Sequence, residues 1–206
     1  MTTEKIYFYP VWLRIWHGFN ALGILLLIIT GISLHWSGDS PIIPFKTSVL
    51  LHNISGVVVS VSYLLFFFGN LFTSNGLQYQ VKTKGLAKRL MKQMRYYAYG
   101  MFRHEEPPFP LSEKRKFNPL QKYSYILVMY ICLPILILSG LALMFPEVII
   151  EKVYNFSGIF LTALLHSILG FMVSLFLIIH LYVASIGKNP LKNYRSIITG
   201  WHEMNH

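Results

Sequence analysis

Two histidines interrupt one of the most apolar stretches of this chain: His166 and His180, in LLHSILGFMVSLFLIIHLY, residues 164–182. A histidine in a hydrocarbon-facing helix is costly and rare, and such residues line binding sites, partner surfaces or pathways. On an α-helix a spacing of fourteen residues advances about 21 Å and falls about 40° short of four full turns. His166 and His180 therefore share one face, near opposite ends of their helix. A single metal ion cannot bridge that distance. Two separate centres can, one above the other.

The elements that must carry those centres follow from composition. The chain has 206 residues, of which 54% are hydrophobic and 13% charged. That charge content is about half the level of a soluble domain. Four apolar runs, at 13–36, 50–72, 123–145 and 158–186, each reach the roughly 20 residues that a membrane-crossing helix needs. The expected architecture is an all-α integral membrane protein, a four-transmembrane-helix bundle forming a single domain over residues 1–206. The N-terminal MTTEKIYFYPVWLR leads into a run too long for a signal-peptide core, so no cleavable leader is expected. Cys132 is the one cysteine, which excludes an intramolecular disulfide and any cysteine-built zinc or iron–sulfur site.

Four spans put both termini and the 73–122 connection on one side. Sixteen of the eighteen Lys and Arg lie there, against only Lys46 and Lys152 on the other. Such a bias in short loops marks the cytoplasmic face. Both termini are expected inside, in the bacterial cytoplasmic (inner) membrane. The net charge of +10 is then a topology signal and an attraction to anionic headgroups, not a nucleic-acid footprint. Residues 84–103, KGLAKRLMKQMRYYAYGMFR, set Leu86, Leu90, Met94, Tyr97 and Met101 on one side of a helix. They predict an amphipathic surface helix between spans two and three, ended by the prolines of EEPPFP. Trp12, Trp16 and Trp36 read as interfacial anchors, Pro134 as a kink in span three, and GKNP as the end of span four.

Matching depths pair the histidines. His17 begins the first, outward-running span and is level with His180 on the inward-running fourth. His52 begins the second span at the outer surface, level with His166. Two pairs at two depths fit bis-histidine axial ligation of two b-type haem irons, since helix bundles build such sites from facing side chains. Zinc or copper would want three or four ligands converging on one point. Gly56 and Gly170 each follow a histidine by four residues, where a missing side chain lets a flat macrocycle lie against the backbone. Glycine also serves close packing in membrane helices. Any one of these histidines alone is more simply a packing residue; four at paired depths favour a cofactor. His35, eighteen residues after His17 on the same face, could replace His52 as the partner of His166, and periodicity leaves both open. His104, His202 and His206 read as solvated.

The chain resembles the di-haem cytochrome b membrane subunits of respiratory formate dehydrogenases (the gamma subunit), nickel–iron hydrogenases and thiosulfate reductases. The resemblance covers nearly the whole chain. It rests on LRIWHGFNALGILLLIITG, the histidine opening span two, KFNPLQKYSY before span three, and the two histidines fourteen apart in span four. It implies that His52 pairs with His166 at the outer haem and His17 with His180 at the inner one, leaving His35 to the outer surface. It also implies a quinone site beside the inner haem, for menaquinone or ubiquinone, at Asn118 with Gln121 following. The family's small residues are replaced there by Pro119 and Leu120. An alternative role for Asn118 is to cap the third span ahead of Pro119.

The function expected is electron transfer between a periplasm-facing redox partner and the membrane quinone pool. Arg14 and Lys188 lie at the depth of the inner haem and are candidates for propionate contacts. No nucleotide loop, cysteine framework or nucleophile–base pair stands in the sequence, so substrate chemistry is expected on another subunit. That subunit would be an iron–sulfur protein, a hydrogenase subunit or a multihaem cytochrome c. Two readings compete: a transporter using the histidines as a proton relay, and a haem-free membrane anchor. Few acidic residues in the spans and the lack of a repeat count against the first; the number and pairing of the histidines count against the second.

Overall fold

The computed structural model describes residues 4–36, 38, 42–112, 115–186 and 189–204. In chain order the elements are strand β1 (Glu4–Tyr7), α1 (Val11–His35), α2 (Phe45–Phe72), α3 (Leu86–Arg95), α4 (Pro119–Met144), strands β2 (Lys152–Val153) and β3 (Phe156–Ser157), α5 (Gly158–Ala184), α6 (Lys192–Thr199) and strand β4 (Trp201–Met204). The helices α1, α2, α4 and α5 coincide with the four apolar runs. At 25 to 28 residues they are each about 40 Å long, enough to cross a hydrocarbon core of about 30 Å. Three begin earlier than hydropathy indicates: α1 at Val11, α2 at Phe45 and α4 at Pro119.

Burial is inverted relative to a soluble protein. Thr30, Ser33, Ser48, Ser55, Ser62 and Ser139 are buried, while Leu65, Phe171 and Phe19 are 66%, 71% and 59% exposed. Lipid is as apolar as leucine, so helices associate through small residues that permit close approach and through interhelical hydrogen bonds. The spans present their large apolar side chains to the bilayer.

The chain forms two compact units, residues 1–67 with 131–206, and residues 68–130. In the first, α1 and α2 meet where Asn20 Nδ2 donates to Ser62 Oγ at 2.5 Å and Val59 fills the space over Gly23. Trp16 stacks on Phe66 with ring centroids 4.3 Å apart, its indole N–H buried. Trp16 is thus a packing residue between α1 and α2, a role its position near the helix end did not disclose. Trp36, 67% exposed, remains free to sit at the interface. The predicted kink in α4 is a π-turn over Val128–Cys132, just ahead of Pro134, which lacks the N–H that the ladder requires.

Both ends of the chain are tied together. β1 pairs antiparallel with β4, Glu4 opposite Met204 and Tyr7 opposite Trp201. Gly200 makes the turn into β4 with φ of 90°, and a side chain there would also collide with the Tyr7 ring. His202 is 7% exposed, stacks near Phe8 and is hydrogen-bonded through Nδ1 to Ser196 Oγ at 2.9 Å. It is not solvated, as its polar neighbours in sequence imply, because β4 folds it against α6. Burial, with Lys192 nearby, pushes its pKa below the ordinary imidazole range. The helix α6 was not legible in the sequence. It covers the end of α5, where Asn193 Nδ2 donates to the Ala184 carbonyl and Tyr194 Oη to that of Leu181.

In the second unit the amphipathic segment forms α3, followed by a π-turn at Tyr96–Gly100 and a 3-10 turn at Met101–Arg103. Its inward side is carried by Gln93, 3% exposed, in place of Met94, which is 49% exposed. Lys116 is also buried, with Nζ donating to Asn75 Oδ1 at 3.2 Å. Asn75 Nδ2 donates in turn to Asn70 Oδ1, and Asn70 Nδ2 to the Tyr130 hydroxyl. Burial lowers the Lys116 pKa from 10.5 to about 8. Because the folded value lies below the unfolded one, the unfolded chain binds more protons between those pH values, and stability rises with pH across them. The second unit should therefore gain up to about 3 kcal/mol between pH 8 and pH 10.5. Hydrogen exchange of residues 68–130, corrected for intrinsic rates, checks this. Lys116→Met should be more protected at pH 8 and show no such rise.

Candidate functional site

The four span histidines of the first unit meet in two pairs. The rings of His17 on α1 and His180 on α5 have centroids 6.4 Å apart. Those of His52 on α2 and His166 on α5 are 6.2 Å apart. The first pair lies at the end of the bundle that holds β1 and β4, the second at the end that holds β2 and β3. His35 joins neither. It is exposed and sits edge-on to Trp36 at 4.6 Å.

The spacing has a direct chemical meaning. Two metal–imidazole bonds of about 2 Å, with each ring centre about 1 Å further out, sum to about 6 Å across one six-coordinate iron. Both gaps match that sum. Among the described residues no group of three or more His, Cys, Asp or Glu converges as a multidentate metal site would require. The two-ligand geometry suits a metal whose remaining positions are filled by a macrocycle.

Open space stands beside several of these histidines. A Cβ built on Gly56 or Gly170 meets no atom within 4 Å, although both glycines are half-buried. Gly18, next to His17, is equally open. Two other glycines do the reverse and support a ring. A Cβ on Gly140 would stand 2.9 Å from His166 Cε1, and one on Gly31 would stand 3.5 Å from His52 Cε1. The hairpin-end imidazoles therefore lie against helix backbone. Their outer nitrogens are also held: Thr30 Oγ1 is 2.9 Å from His52 Nδ1, and Ser139 Oγ is 3.0 Å from His166 Nδ1. Sequence reading missed Thr30 and Ser139. The available signal was the hydroxyl–glycine dipeptide, Thr30–Gly31 and Ser139–Gly140, in the middle of two otherwise apolar runs.

At the other end, Arg14 lies one turn before His17. Its Nε is buried without a hydrogen-bond partner, and it lines a cavity of about 300 Å3 with His17, Gly18 and Ile197. A buried guanidinium nitrogen left unsatisfied is costly, and a carboxylate ligand would satisfy it. Lys188 lies outside the described residues.

The residues expected near a quinone all belong to the second unit. Asn118 caps α4 in a reciprocal box: its Oδ1 accepts from Gln121 N at 3.0 Å, and Gln121 Oε1 accepts from Asn118 N at 3.2 Å. The capping role is therefore real. Asn118 Nδ2 donates to the Tyr97 hydroxyl at 2.8 Å, and Gln93 bonds the same hydroxyl. Burial holds the Tyr97 phenol above its ordinary pKa, so it keeps its proton. With its oxygen already taken up as acceptor, the remaining capacity of Tyr97 is as a donor, a role the sequence did not disclose.

Residues 8–200 match the sequence profile of a family described as prokaryotic cytochrome b561. The chain belongs to the prokaryotic cytochrome b561 family. It is 35% identical over 202 residues, 97% of this chain and 75% of the other, to the Escherichia coli (strain K12) protein named "Putative cytochrome YdhU". No solved structure gives a significant match. As a member of the cytochrome b561 family the chain is a b-type haem protein that transfers electrons within the membrane. Its four apolar helices make it a multi-pass protein of the bacterial inner membrane, and its environment is the lipid bilayer.

Proposed function

We propose that the whole chain, residues 1–206, acts as one di-haem cytochrome b domain carrying electrons between a periplasm-facing redox partner and the quinone pool. The observation that supports this best is the pair of histidine gaps, 6.4 and 6.2 Å, with α5 supplying one ligand to each. In this reading His17 and His180 hold the inner haem and His52 and His166 the outer one. Bound haem iron supplies a one-electron couple between its ferric and ferrous states. The chain's own part is to hold the two centres about 21 Å apart along α5, to exclude water with its apolar faces, and to neutralise charge. Arg14 is placed to pair with a propionate of the inner haem.

The basic bias of the connections supports cytoplasmic termini, which makes the His52–His166 pair the periplasmic one. Quinone would then be served from the second unit by Tyr97 as hydrogen-bond donor, with Asn118 and Gln121 fixing its position through the capping box. Electrons from outside that reduce quinone near the inner face would charge the membrane. Substrate chemistry lies on a partner subunit, for which an iron–sulfur protein, a hydrogenase subunit or a multihaem cytochrome c are the candidates.

A dithionite-reduced minus oxidised spectrum of the detergent-purified chain, with haem counted by pyridine haemochrome, tests the reading. Two b haems per chain are expected, both reoxidised by a quinone analogue. Tyr97→Phe should slow that reoxidation at least tenfold and leave the haem count at two. One haem, or none, would remove the scheme.

A further inference from the structure

His52 and His166 share a supporting device. Thr30 sits on α1 and faces His52; Ser139 sits on α4 and faces His166. Each is followed by a glycine on which the imidazole rests. Neither hydroxyl is free to donate to the ring. Thr30 Oγ1 donates to the Leu26 carbonyl at 2.6 Å, and Ser139 Oγ donates to the Leu136 carbonyl at 3.1 Å. A hydroxyl has one proton, and in both cases a helix carbonyl takes it. The contacts to His52 Nδ1 and His166 Nδ1 must then run the other way, from ring N–H to hydroxyl oxygen. Both imidazoles are thereby fixed as the Nδ1–H tautomer, which leaves the Nε2 lone pair free to bind a metal.

We propose that Thr30 and Ser139 are positioning residues of the outer haem, each accepting the Nδ1–H of one axial histidine and so aiming its Nε2 at the iron. The proposal rests on the ligand scheme above. It adds a tuning role: an acceptor on the distal ring nitrogen raises ligand basicity, which stabilises ferric iron and holds the potential down. The glycines set how close the ring comes; the hydroxyls set its tautomer and electron density.

The test is a spectroelectrochemical titration of the purified holoprotein in four variants. Thr30→Val keeps the shape and loses the acceptor, and Ser139→Ala removes one oxygen. Each should move one midpoint in the positive direction and leave the other where it is in the native chain; Thr30→Ser and Ser139→Thr should move neither. Two bound haems with both midpoints unchanged in Thr30→Val and Ser139→Ala would overturn the proposal. If either variant fails to load the outer haem, its hydroxyl-retaining counterpart decides: normal loading supports the hydroxyl, and equal failure shows that shape alone mattered. Failure of the underlying ligand scheme looks different, because the native chain would then hold other than two haems, or His52→Ala would retain both.

Discussion

His166→Ala should cost the protein one haem and His180→Ala the other, each leaving its neighbour bound. The expectation follows from the geometry of α5, which contributes one imidazole to each gap, and from the lack of a substitute at either position. His35 lies outside both gaps, exposed and packed edge-on to Trp36. Loss of one axial imidazole removes a metal bond and leaves its partner histidine facing a cavity between apolar helices. Haem content should fall from two to about one per chain in each variant, with different midpoints surviving in the two. Pyridine haemochrome counting and potentiometry read both effects. His35→Ala is the control and should retain two haems. Loss of the outer haem in that variant would transfer the ligand role from His52 to His35, and a full complement in His166→Ala would refute the pairing.

Filling the space beside the ligands should be nearly as severe, and for a different reason. Gly56 and Gly170 stand one turn beyond His52 and His166, and nothing lies within 4 Å of a Cβ on either. Leucine at these positions meets no protein atom at its Cβ, and it is a better helix former than glycine by about 0.5–1 kcal/mol. The apoprotein should therefore be as stable as the native chain or more so. In the proposed scheme the same side chain would occupy the place of the macrocycle, so outer-haem content should drop at least tenfold. Thermal unfolding of the apoprotein together with haem counting separates the two outcomes. A glycine conserving only helix packing would give the opposite result: Gly170→Leu would load haem normally. By contrast Gly140→Leu must displace His166 itself, since even its Cβ falls 2.9 Å from the ring.

The spans were legible because the bilayer imposes a length and a composition that leave few alternatives, and depth alone matched His17 with His180. What periodicity left open was which outer histidine faces His166, since His35 and His52 satisfy the same depth; in the structure the ring beside His166 is that of His52. Features that depend on contacts far apart in sequence were not readable. His202 looks solvated among polar neighbours until β4 is paired with β1, nearly two hundred residues away. Trp16 looks like an interfacial anchor until Phe66 is brought over it. Thr30 and Ser139 are ordinary hydroxyls of membrane helices until a ring nitrogen arrives at 3 Å. Asn118 was the reverse case: its cap was written locally, in Asn-Pro-Leu-Gln, and could be read without any tertiary information.

That α5 holds a member of each histidine pair has a consequence for how the protein is made. It is the last of the four long helices to leave the ribosome, so His17 and His52 enter the bilayer with no opposite number. In the proposed scheme neither centre could be assembled while the chain is still being synthesised through its first three spans. The β1–β4 ladder, joining Glu4 to Met204, closes later still. In the di-haem scheme, cofactor insertion at either centre would therefore follow the synthesis of α5.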